Sequence, residues 1–185
     1  GHLDFIGRSH IWIDDYDRAD SVQFAQFAIA NALAHTAPGQ LEVLVFDDAL
    51  RGIAAPFQEV NSGGEKILRH INDLQELNET IKYLHEHVRS VLNVIQGRTE
   101  SLLDFRQQLS PKVEGFKLVV LSTIYDLLSD EIRDKLTVLL KAGPAAGVTF
   151  LIHSMTLNVN KEILNLTQLC DVEERTVYDD DGAAR

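Results

Sequence analysis

Four short apolar runs recur along this chain, each set apart from the next by helical or turn sequence, and they leave few folds open. They are Ser9–Ile13 (SHIWI), Leu41–Phe46 (LEVLVF), Phe116–Leu121 (FKLVVL) and Val148–Ile152 (VTFLI). A strand with one wet face alternates polar and apolar residues, whereas these runs are nearly continuous, as in strands buried on both faces. Such strands separated by helices indicate a mainly parallel sheet covered on both sides, a three-layer α/β domain. With 185 residues and 45% hydrophobic content, a single domain over 1–185 has material for that core.

The helical segments are read from periodicity. Ser21 opens a pattern in which Val22, Phe24, Ala25, Ala28, Ile29, Ala32 and Leu33 form one apolar stripe, and His35-Thr36-Ala37-Pro38-Gly39 stops it. A loop around Pro56 to Gly64 leads into a long helix carrying Leu74, Leu77, Ile81, Leu84, Val88, Val91, Leu92 and Ile95, ended near Gly97. Further helices are expected over Ser101–Leu109 and over Ile132–Lys141, the latter stopped by Gly143-Pro144. The polar tail Asp179–Arg185 is expected to fray.

The net charge of -11 and pI near 5.0 argue against this segment gripping DNA by itself, since phosphate neutralisation needs clustered Lys and Arg. Lys66, Arg69, Lys82, Arg89, Arg98 and Arg106 are interleaved with acids and read as solvated faces. Cys170, the single cysteine, excludes an internal disulfide, fits a reducing cytoplasm and reads as a buried, inert thiol. No apolar run approaches the roughly 18 residues of a membrane span.

The first strand, loop and helix form the setting of a phosphate-binding loop. Placing Ser21 at the last position of G-x-x-x-x-G-K-[ST] puts Asp14, Ala19 and Asp20 at the two glycines and the lysine. Further motif-like segments follow in order. His35 to Asp47 reads as the end of a helix, an "h-x-P-x-x-h" turn and a strand ending in Asp, and a long helix from Asp73 through Arg89 is followed by Gly97-Arg98-Thr99 and Leu103-Asp104-Phe105-Arg106. Leu118 to Leu127 (LVVLSTIYDL) stands where "h-h-h-h-D-E-h-x-D-L" is usual, and Leu140 to Ile152 where "L-x-x-x-G-R-A-x-G-I-H-L-h" is usual. Glu174 to Asp179 is similar to "D-S-R-T-I-L-D". Together these segments resemble, over almost the whole chain, the motor domain of FtsK/SpoIIIE-type ATPases, a group that includes DNA translocases and type VII secretion motors. The resemblance implies a RecA/FtsK-like P-loop fold, a place in a longer multi-domain protein, neighbouring ATPase domains or subunits as partners, and a cytoplasmic location, in some cases within a membrane-associated complex.

The departures bear on the chemistry. In the loop Asp14 to Asp20 an aspartate replaces the lysine, and unit charges 4 Å apart interact by roughly 4 kcal/mol at an effective dielectric near 20. A triphosphate is therefore repelled where it is normally attracted. At the second site Ser122 and Thr123 replace the acids that order magnesium and activate water, and hydroxyls cannot take a proton from water at neutral pH. Met155 replaces a glutamine. Ser21 and Asp126 survive, read as a helix N-cap and a loop or cap acid. The chain is thus expected to be a non-catalytic module binding no cofactor, with ATP and magnesium expected only under the alternative of an unconventional but genuine ATPase.

Other readings of the acids compete. Asp15-x-Asp17 begins a calcium loop but lacks its glycine and distal glutamate, and no metal is expected. A receiver-like phosphoacceptor domain would use Asp14 and Asp15 with Ser122, yet His153-Ser154-Met155 stand where its lysine belongs. His153 reads as a structural histidine, the sequence placing no partner beside it. His85 and His87, two apart on a helix, face different ways and share no metal.

Overall fold

The computed structural model describes residues 5–14, 19–37, 39–61, 67–108, 115–154 and 160–173. The strands β1 (His10–Asp14), β2 (Leu41–Asp47), β3 (Leu68–His70), β4 (Phe116–Ser122), β5 (Val148–Ser154) and β6 (Cys170–Glu173) form one sheet in the order β3-β2-β4-β5-β1-β6. Every neighbouring pair is parallel. Five helices accompany them among the described residues: α1 (Ala19–Ala34), α2 (Leu74–Ile95), α3 (Leu102–Gln108), α4 (Asp130–Ala142) and α5 (Lys161–Thr167).

Local chemistry sets the helix limits. Asp73 caps α2 by accepting from Glu76 N–H at 2.8 Å, while the Glu76 carboxylate reaches back to Asn72 N–H at 3.0 Å. Leu77, Ile81, Leu84, Val88, Val91 and Ile95 then recur every three or four residues, and all are buried. Ser129 caps α4 by accepting from Ile132 N–H at 3.2 Å. The stop at Gly143 is steric. A Cβ there would lie 2.4 Å from Leu139 O and 2.7 Å from Val148 O, so only glycine lets the end of α4 meet β5.

Strand register separates the layers. His10 and Trp12 of β1 face α4 and the turn after β4: His10 Nε2 bonds Leu140 O at 2.8 Å, and Trp12 packs on Tyr125. His153 pairs in register with Ile13, of opposite parity, and so faces the other side, where it meets α1. Every residue of β5 is buried, as strands enclosed on both faces must be.

Several expectations need correction. The edge strands β3 and β6 were not anticipated; three and four residues long and largely polar, they carry no apolar run. The segment expected as a loop around Pro56 holds a 3-10 turn at Ala55–Asn61, its remainder to Gly64 lying outside the described residues. The helix α1 begins at Ala19, so Ser21 is its third residue and not its N-cap. Arg106 is not simply solvated: it is half-buried, its guanidinium 5.3 Å from the Phe116 ring centroid and bonded to Gln40. Arg69, Lys82, Arg89 and Arg98 are exposed as expected, and Lys66 lies outside the described residues. Cys170 is half-buried, and burial pushes its thiol up to about 12. The receiver-like alternative fails on topology. A receiver sheet runs 2-1-3-4-5, with the first strand central between the second and third, whereas β1 here pairs with β5 and β6.

His10 is locked at both nitrogens, because Phe150 N–H donates to Nδ1 at 2.9 Å while Nε2 donates to Leu140 O. Desolvation holds it neutral, its pKa lowered from 6.5 to about 4 against the raising effect of Leu140 O. The unfolded chain takes up this proton first as pH falls. The stability His10 contributes is therefore present above pH 6.5 and lost progressively toward pH 4, by about 3 kcal/mol. Urea unfolding across that range should show the gap between wild type and His10→Gln narrowing by this amount. A constant gap would contradict the assignment.

Candidate functional site

In open parallel α/β sheets, ligands bind outside the carboxyl ends of the strands, where the loops gather. Here those ends are Asp14 of β1, Asp47 of β2, Ser122 of β4 and Ser154 of β5. The N-terminus of α1 lies at the same end, since Ser21 reaches His153.

The centre of this region is the His153 side chain. Its Nε2 lies 2.7 Å from Ser21 Oγ and its Nδ1 lies 2.8 Å from Ser122 Oγ. The imidazole and Ser122 are wholly buried, and Ser21 is nearly so. Burial is the main cause that lowers the His153 pKa to about 4; nearby Arg51 lowers it further and Asp47 opposes. At neutral pH the ring therefore has one N–H and one lone pair, and two hydroxyls satisfy both, one accepting and one donating. Three residues from α1, β4 and β5 thus form one continuous buried bridge.

Asp47 and Asp48, at the end of β2, have partners of their own. Asp47 accepts from Arg51 N–H at 2.9 Å, from Gly52 N–H at 2.9 Å and from Ile53 N–H at 3.2 Å, which closes the loop after β2 and sets Arg51 beside His153. The same loop holds Leu50 at φ 53 with its side chain 88% exposed. Thr123 donates to Asp48 Oδ2 at 3.3 Å, and Thr123 N–H bonds His153 O at 3.1 Å. Ser154 Oγ accepts from Tyr125 N–H at 3.0 Å, fixing the turn beyond β4.

The residues singled out by sequence fall as follows. Asp14 is half-buried at the end of β1, Ala19 and the exposed Asp20 open α1, and Asp126 sits half-buried in the turn Tyr125–Leu127. The imidazole bridge takes Ser21 and Ser122 and has Thr123 at its edge. Asp15, Asp17, Met155 and Glu174–Asp179 lie outside the described residues. Sequence reasoning saw His153 but gave it no partners, and it missed Arg51 and the Asp47 clamp. An acid ending a strand four residues before an arginine was the available signal.

The bridge has limited chemistry. Ser21 beside an imidazole has the beginning of a nucleophile–base pair, but the other ring nitrogen meets a hydroxyl instead of an orienting carboxylate. Magnesium wants an octahedron of hard oxygens, usually with one or two carboxylates. The groups here are two hydroxyls and a neutral ring with both nitrogens engaged, so they do not fit the magnesium that the sequence resemblance would imply. Among the described residues no three His, Cys, Asp or Glu side chains gather as a metal site. A cavity of about 800 Å³ lies elsewhere, toward the start of β2, where Glu42, Asp73, Glu76 and Glu79 outnumber Arg69. Among the described residues no helix is long and apolar enough to cross a membrane.

The fold has solved counterparts. The chain superposes on EssC (ATPases 2 and 3) from Geobacillus thermodenitrificans with a TM-score of 0.66 at 13% identity, covering 89% of this chain and 31% of that one. A cytoplasmic domain of EssC gives 0.68 at 13% identity, covering 92% and 33%. The cytoplasmic domain of the Thermomonospora curvata type VII secretion ATPase EccC gives 0.65 at 15% identity, covering 90% and 20%. No protein-family model and no curated protein matches the chain. The three-layer, parallel α/β architecture expected from the sequence is therefore the architecture observed, and the chain spans a fifth to a third of the length of these structures. At such identities the likeness establishes fold and not chemistry.

The loop after β2 offers a paired test. Asp47→Ala removes the acceptor of three N–H groups and should cost about 2 kcal/mol. Leu50→Gly relieves a left-handed φ and should add about 1 kcal/mol. Equilibrium urea unfolding measures both, and a neutral Asp47→Ala or a destabilising Leu50→Gly would contradict this account of the loop.

Proposed function

We propose that this chain is a non-hydrolysing, ATPase-like domain of a larger multi-domain motor, serving it through fixed protein contacts and not through turnover. One observation carries the reading: the His153 imidazole fills the span between Ser21 and Ser122, the two positions between which a bound metal would be expected. The replaced lysine at Asp20 and the replaced acids at Ser122 and Thr123 point the same way, because each removes attraction for a magnesium nucleotide or the means to activate water. No nucleotide, magnesium or other cofactor belongs to this reading.

Among the processes served by such motors, protein secretion is favoured over DNA translocation. Solved structures that share the fold include EssC and the type VII secretion ATPase EccC. The charge of -11 also disfavours contact with nucleic acid by this segment. The partners implied are neighbouring ATPase domains of the same motor, since the matched structures are three to five times longer than their matched part. The assembly would act at the cytoplasmic side of a membrane without this segment entering it.

Calorimetric titration with ATP and magnesium tests the reading against a genuine ATPase with an unconventional site. No saturable heat is expected up to millimolar nucleotide. Saturable binding at micromolar affinity, about -8 kcal/mol, would overturn the proposal.

A further inference from the structure

A phosphate-binding loop and the helix after it are ordinarily fastened to the sheet through their ligand, the helix N-terminus and loop amides closing on phosphate and metal. In this chain the fastening is internal. Ser21, on the first turn of α1, and Ser122, at the end of β4, are joined through one side chain of β5, across 132 and 31 residues of sequence. Resting on the reading above, we propose that His153 is a tether standing in for the metal nucleotide, holding the first turn of α1 on the ends of β4 and β5 so that the domain shows its neighbours one ligand-independent conformation.

The distribution of apolar contacts along α1 says why a tether is needed there. Its later turns are anchored by Ala25, Ala28, Ile29 and Ala32, all buried. The first turn offers an exposed Asp20 and a half-buried Val22, so the buried side chain fixing it is polar. A segment with little apolar burial opens locally at small free-energy cost unless specific hydrogen bonds hold it. The anchor itself cannot drift, because its main chain is bonded too: His153 O accepts from Thr123 N–H at 3.1 Å, and Ser122 O accepts from Asp48 N–H at 3.1 Å. The first turn of α1 is thus tied to a rigid floor.

Amide hydrogen exchange on the full chain tests this, read on α1 peptides with α2 as internal reference. His153→Ala should speed exchange over residues 20–28 about tenfold while α2 is unchanged. Ser21→Ala and Ser122→Ala, which each remove one hydroxyl, should do so several-fold, and they decide the matter if the histidine variant does not fold. Added imidazole should slow exchange again in His153→Gly. Unchanged α1 exchange in both serine variants, or equal acceleration of α1 and α2, would overturn the tether while leaving the non-hydrolysing assignment intact. Slowing of α1 exchange in the wild type by ATP and magnesium would instead overturn that assignment and, with it, ligand independence.

Discussion

An all-parallel sheet sealed on both faces leaves one edge for chemistry, and this constraint governs the molecule. All six strands among the described residues run the same way, so their carboxyl ends collect on one side. Polar side chains in that crowded rim must find partners within the protein or be exposed, since a buried polar group without a partner costs on the order of 1–3 kcal/mol. The three-way contact among Ser21, His153 and Ser122 is how this sequence meets the requirement. A neutral imidazole suits it well, having one donor and one acceptor on opposite sides of a rigid ring.

Two buried histidines on neighbouring strands show how position decides role. His10 and His153 are both fully buried and both held neutral chiefly by desolvation. His10 faces α4 and bonds only main-chain groups, Leu140 O and Phe150 N–H, so it works as a spacer between strand and helix. His153 faces α1, and its ring bonds two side-chain hydroxyls at the carboxyl end of the strands. The two acids at the end of β2 have partners of their own. Asp47 closes its own loop and Asp48 accepts from Thr123.

The long, well-patterned elements were legible from residue order alone. Apolar periodicity in α2 and unbroken apolar runs in β2, β4 and β5 leave little else for those segments to become. The strands β3 and β6 were not legible, because three or four residues at a sheet edge gain their conformation from a neighbour and carry no pattern of their own. The start of α1 was misjudged by two residues, which turned Ser21 from a bridge member into a supposed cap. The bridge itself could not be read, as it depends on which strand lies between β4 and β1 in the sheet. Departure from the phosphate-loop motif was visible; the imidazole between Ser21 and Ser122 was not.

In the proposed function the His153 imidazole occupies the span between Ser21 and Ser122 where a bound metal would be expected. A crystal structure of the chain grown with magnesium and a non-hydrolysable ATP analogue addresses it most directly. The account predicts the His153 ring still bonded to both serines and no phosphate over residues 14 to 21. Phosphates seated there, with the ring turned away and magnesium between Ser21 and Ser122, would contradict it.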